Sequence, residues 1–114
     1  MISTEIFGKE KMWQNKVILT GRISSTGQEV ELPSGDTLTK FRVVVPRDKP
    51  VTRTVIDTID CVAFKAVVQA KVMKLENDDV VEIEGVLRRR FWQTASGTAS
   101  RVEVEVAALK IVKI

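Results

Sequence analysis

The sequence contains no histidine, and that absence removes most of the acid–base and metal chemistry that a chain of 114 residues could carry. Triad hydrolases and most zinc enzymes depend on imidazole for proton transfer or ligation. A single cysteine, Cys61, leaves no partner for an intramolecular disulfide and no second thiolate for a metal cluster, which fits a reducing compartment. No apolar run approaches the roughly 20 residues that cross a bilayer, and "MISTEIFGKEKMWQ" lacks the apolar stretch of a secretory signal. The expected location is therefore cytoplasmic. Acidic clusters are scarce too: "ENDDV", Glu76 to Val80, reads as a turn in which Asn77 and Asp78 close a helix rather than as a cation loop. No base, nucleophile and orienter occur together, so no enzymatic activity, cofactor or metal is expected. No internal repeat or low-complexity segment interrupts the chain.

What is present suits one compact domain: 44% hydrophobic and 29% charged residues over 114 positions, with a net charge of +3. That excess leans toward polyanions but is weak by itself. Residues 1–14 read as an N-terminal extension and 15–114 as the domain.

Most of the chain alternates with a period of two. In "NKVILTGRI", which starts a strand near Asn15, Val17, Leu19, Gly21 and Ile23 share one face. "SSTGQEVELPSGD" adds turn chemistry at Gly27 and Pro33 to Asp36 on either side of a short extended piece, so a bent strand and then a hairpin are expected. "TLTKFRVVVP" places Phe41, Val43 and Val45 inward and Lys40, Arg42 and Val44 outward, with Pro46 ending the ladder for want of an N–H. The following "RDKPVTRT" is a net basic, exposed loop carrying Arg47, Lys49 and Arg53. "VIDTIDCVAF" is a third strand. Phe64, Val68, Val72 and Leu75 then form one stripe of a helix spanning about 65 to 76. "VVEIEGVLRRRFW" and "SRVEVEVAALKIV" are strands four and five, joined by "QTASGTA", where Gly97 supplies the positive φ of a tight hairpin tip. Five strands with one helix between the third and fourth make an all-β OB-fold, a Greek-key barrel.

Within that order, "NKVILTGRIS", "TKFRVVVPRD", "DCVAFKAVVQAKVMKLENDDVVEIEGVLRRRFW" and "EVEVAALKIV" resemble the bacterial single-stranded DNA-binding protein family from Asn15 onward. The specific parts are Asn-Lys-Val-Ile-Leu-x-Gly and Glu-Gly-x-Leu-Arg-x-Arg-x-Trp. The resemblance implies sequence-independent binding and protection of single-stranded DNA in replication, recombination and repair, by homotetramers. The alternative is an OB-fold adaptor resembling primosomal replication proteins, which binds protein partners first and DNA weakly.

Alternation puts Arg88, Arg90 and Trp92 on one strand face and Leu87, Arg89 and Phe91 on the other. Guanidinium groups spaced along a strand can meet successive phosphates, while an exposed indole stacks on bases that are already unpaired. A competing reading pairs them internally: a hairpin tip centred on Ser96 and Gly97 sets Trp92 opposite Arg101, Phe91 opposite Val102, Arg90 opposite Glu103 and Arg88 opposite Glu105. The candidate DNA-binding residues are Trp92, Arg88, Arg90, Arg101, Phe64, Arg47, Lys49 and Arg53. Phe64 divides between stacking, as the resemblance implies, and helix-start packing. Trp13 suits a barrel end, a second subunit or DNA.

The sequence departs from the family pattern in places. Thr58 stands where relatives often carry a stacking tryptophan, and Asp60 where a basic residue is common. The resemblance implies replication and repair proteins as partners, but the sequence ends at "LKIVKI" without the linker and acidic, Phe-ended tail through which relatives recruit them. Ile18, opposite Val17 and Leu19, and the apolar "ALKIVKI" are more than one small barrel covers, which points to a homo-oligomer, a tetramer before a dimer.

Overall fold

A computed structural model describes residues 12–47 and 55–112. β1 (Val17–Glu31), β2 (Thr37–Pro46), β3 (Ile56–Ala63), α1 (Ala66–Met73), β4 (Val80–Thr94) and β5 (Gly97–Ile111) follow one another along the chain. The strands close into a barrel in the order β1-β2-β3-β5-β4, with β3 and β5 parallel and the other adjacent pairs antiparallel. This is the expected all-β OB-type barrel with its helix between β3 and β4.

The two motifs that carry the family resemblance lie against each other. Val17 to Arg22 of β1 run in register with Gly85 to Val80 of β4. The Asn15 carboxamide extends that ladder by one rung, with Nδ2 donating to the Leu87 carbonyl and Oδ1 accepting from the Leu87 N–H, both at 2.8 Å. An asparagine can complete both halves of a backbone pair because its amide has the donor and acceptor of a peptide unit. The glycines of both motifs sit where strands cross. A Cβ on Gly21 would meet the Val44 carbonyl, and one on Gly85 the Glu105 carbonyl, so neither position has room for a side chain.

β1 is one bent strand of 15 residues that turns back into β2 as a hairpin, as expected, with the piece from Gln28 continuing the same strand. Register shifts between Ile23 and Ser25 and between Ser25 and Gln28 supply the bend. Gly27 therefore serves a bulge, not a turn, and lies under α1, where a Cβ would press on Val72, Met73 and Thr39.

The interior cluster contains Ile23, Phe41, Val43, Cys61, Val68, Val72, Leu75, Val81, Ile83, Val104, Val106 and Leu109, with Val17, Leu19, Val45 and Ile59 packed on it. Val44, expected outward, does point away from this cluster yet is only 2% exposed, standing in register between Arg22 and Thr58. Pro46 ends β2 as expected, although the next residue's N–H still reaches across to the Val55 carbonyl (2.8 Å).

Helix α1 covers only Ala66–Met73, shorter than 65 to 76, because i→i−3 bonds from Lys74 to Lys71 and Leu75 to Val72 tighten and end it. Gln69 anchors it to β2, its Nε2 donating to the Thr37 carbonyl and its Oε1 accepting from the buried Thr39 hydroxyl, while Nε2 also donates to the Phe64 carbonyl just before the helix. Asn77 and Asp78 form a separate turn after the helix instead of closing it. There Asp78 has φ 74°, the Asp79 carboxylate accepts from the Glu76 N–H, and Asp78 lies 3.4 Å from Arg22.

Candidate nucleic-acid interface

β4 and β5, each 15 residues long, form the most extensive strand pair and project as a two-stranded arm. Near the barrel their inward residues are buried; from Leu87 outward both faces carry exposed side chains. The hairpin tip is Ala95-Ser96, with Thr94 opposite Gly97 and Gly97 at φ 133°. The tip lies one residue nearer the N-terminus than expected, so every pairing moves by two. Trp92 faces Ala99, Phe91 faces Ser100, Arg90 faces Arg101 and Arg88 faces Glu103. A shift of two preserves which residues share a face. Long side chains also reach the diagonal neighbour. Arg90 Nη1 therefore still meets Glu103 Oε2 at 3.1 Å, and Arg88 Nε meets Glu105 Oε1 at 3.5 Å.

The outer face of the sheet follows from the strand order. Lys40 and Arg42 on β2 are in register with Val62 and Asp60 on β3, and Val62 with Glu105 on β5. Two adjoining clefts result. One, about 300 Å³, is lined by Lys40, Arg42, Asp60, Val62, Arg101 and Glu103 among others, with Arg42 bonded to Asp60 at 3.0 Å. The second, about 270 Å³, is lined by Lys40, Arg90, Phe91, Trp92, Arg101 and Glu103. Lys40, Arg101 and Glu103 belong to both, so the clefts run together beneath the arm.

This second cleft holds three cations against one carboxylate, and that carboxylate is bonded to Arg90. Arg90 and Arg101 stand directly opposite each other in the ladder, a like-charge arrangement that destabilises a bare sheet. An excess of positive charge beside an indole 45% exposed, with Phe91 of the opposite strand face, 67% exposed, reaching the edge of the same cleft, is matched by an anion that carries flat apolar groups.

The structure brings four of the expected residues, Trp92, Arg88, Arg90 and Arg101, onto one face of the arm, and it separates Arg47 and Phe64 from them. Arg47 lies at the far end of β2, where its guanidinium grips the Asp57 carboxylate through three contacts of 3.0 to 3.2 Å. That bond raises the Arg47 pKa and lowers that of Asp57, the hydrogen bond being the larger cause for each. Phe64 is neither in the interior cluster nor on the arm; it is 40% exposed and lines a different depression with Leu32, Asp36, Thr37, Ala66 and Gln69. Lys49 and Arg53 lie outside the described residues.

Sequence reasoning did not select Lys40, Phe91 or Glu103. Lys40 carried a signal, its outward phase on β2, but its approach to the arm depends on β5 lying beside β3. Phe91 was expected to pack against Val102; opposite Ser100 and beyond the barrel, it has no core to enter. Cys61 lines the first cleft through a buried position, and burial first, then the Asp60 and Glu103 charges, push its thiol up to about 12.

Among the described residues no helix is long and apolar enough to cross a membrane. The family model described as "Single-strand binding protein family" matches residues 14–113. A single-stranded DNA-binding protein of Thermotoga maritima is 32% identical over 98 residues, covering 82% of this chain and 69% of the relative. The solved structure of the Plasmodium falciparum SSB complex with ssDNA superposes with a TM-score of 0.74 at 20% identity, over 90% of this chain and 98% of that one. At that identity the likeness shows the shared barrel. With residues 14–113 inside the family match and the two motifs paired in the β1–β4 ladder, the chain belongs to the single-strand binding protein family.

Proposed function

We propose that this chain is a non-catalytic, sequence-independent binder of single-stranded DNA that holds the strand in the joined clefts beneath the β4–β5 arm. Single-stranded DNA binding accords with its family and with the neighbours named above. The observation that carries this assignment to the arm is the cleft in which Lys40, Arg90 and Arg101 face one carboxylate beside exposed Trp92 and Phe91. Lys40 and Arg101, with no carboxylate partner among the described residues, supply phosphate contacts. Trp92 and Phe91 supply stacking surfaces, which every base satisfies and which duplex DNA does not present. Such binding serves protection of exposed strands in replication, recombination and repair, in the cytoplasm.

Assembly into a homo-oligomer, a tetramer before a dimer, belongs to the same proposal. Ile18 is 56% exposed, and Leu87, Val102 and Ile111 are also open to solvent, which a second copy would cover. Sedimentation at micromolar concentration showing only a 12.7 kDa species would reject it.

One observation favours the adaptor reading: Arg42, Arg47, Arg88 and Arg90 are each bonded to a carboxylate, which lowers the charge available to DNA. Titrating the protein with oligothymidine while following tryptophan fluorescence, in parallel with duplex DNA, decides between them. Salt-dependent binding and quenching with oligothymidine and little response to duplex support DNA binding; no response to oligothymidine supports the adaptor.

A further inference from the structure

Glu103 is an unexpected residue on the floor of an anion-binding cleft. It is 5% exposed, lines both clefts, and bonds Arg90 at 3.1 Å. A carboxylate this buried requires a cationic partner, because stripping that partner away leaves an uncompensated charge out of water. Arg90 therefore cannot exchange Glu103 for a phosphate that would otherwise stay hydrated. Arg88 and Glu105 repeat the arrangement one pair closer to the barrel in a more exposed setting, with side chains 57% and 39% accessible. On the same face, Arg101 and Lys40 have no such restraint among the described residues.

Resting on the DNA-binding assignment above, we propose that Glu103 is an internal competitor for DNA phosphate: it holds Arg90 in reserve and sets how many phosphates the cleft neutralises. Arg90 then acts as the counter-charge of Glu103, and the count of released counterions belongs to Lys40 and Arg101. Neutralising Glu103 while keeping its shape frees Arg90 to take one more phosphate. Removing both charges together leaves the count where it began.

The test compares wild type, Glu103→Gln and the double variant Arg90→Gln/Glu103→Gln, each titrated with oligothymidine at about 50 and 200 mM salt. One added phosphate steepens the dependence of log K on log salt by about 0.7, so the ratio of affinities between those two salts grows about 2.6-fold. That increase is expected for Glu103→Gln, together with tighter binding at low salt, and the double variant is expected to return to the wild-type slope. A Glu103→Gln slope equal to or shallower than wild type overturns the proposal, as does a double variant whose slope falls by about 0.7, since Arg90 would then be holding a phosphate already. Thermal melts accompany each titration; if Glu103→Gln does not fold, the double variant carries the test by its slope alone. Failure of the underlying assignment looks different: wild type itself would not bind oligothymidine, and both readings would fall together.

Discussion

Replacing Trp92 with alanine separates a binding role for the arm from a structural one. The indole is 45% exposed, faces Ala99 across the ladder and belongs to no part of the interior cluster. Removing it takes away a stacking platform worth about 1–3 kcal/mol per base, which corresponds to a rise in Kd of roughly 5- to 150-fold. The effect on folding is bounded by the surface the ring already buries. With nearly half of it in water and no enclosed cavity left behind, the loss falls well below the ~3–5 kcal/mol typical of a core aromatic. Phe91 sharpens the comparison. It is 67% exposed opposite Ser100, so Phe91→Ala should disturb folding even less while still weakening DNA binding through the same cleft. The assays are oligothymidine titration for affinity and urea denaturation for stability, on wild type and both variants. A Trp92→Ala protein that unfolds at much lower urea but binds oligothymidine as tightly as wild type would refute the argument, because the ring would then be holding the arm together.

Further expectations rest on other parts of the fold. If Lys40 and Arg101 are the phosphate contacts, wild-type log K should fall with log salt with a slope of about 1.4, and a flat response with binding intact would show stacking alone at work. Ile83→Ala, at a fully buried interior position, should lower stability by about 2–5 kcal/mol in urea denaturation. Gly85→Ala should lower it through the clash with the Glu105 carbonyl, an overpacking effect of about 1–3 kcal/mol, and an unchanged urea midpoint would mean that β5 yields easily. The Cys61 thiol gives a pH prediction: the folded chain keeps its proton up to about 12 whereas the unfolded chain releases it near 9.0, so the folded state binds more protons in between. Stability should therefore decline as pH rises through that window, and Cys61→Ala should remove that part of the decline.

Period-two alternation placed all five strands, and the interior residues of β2, Phe41 and Val43, follow from it because strand side chains point alternately to two faces whatever the rest of the chain does. The stripe Val68, Val72 and Leu75 was equally local. So were the paired motifs around Gly21 and Gly85 and the membership of Arg88, Arg90 and Trp92 in one face, which survived a register error of two because face depends only on parity. The partners of those residues were not local. Which carboxylate an arginine meets depends on the hairpin register and on the diagonal reach of its side chain, and so Arg90 faces Arg101 yet bonds Glu103. Phe64 continued a helical stripe in the sequence, but α1 starts only at Ala66 and its ring stays outside the interior. Lys40 reaches the arm, more than 50 positions away, only because closing the barrel lays β5 beside β3. Alternation along a strand is a property of neighbouring bonds, and the sequence carries it; the cleft is a property of strands brought together by burying a common core, and only the tertiary structure decides it.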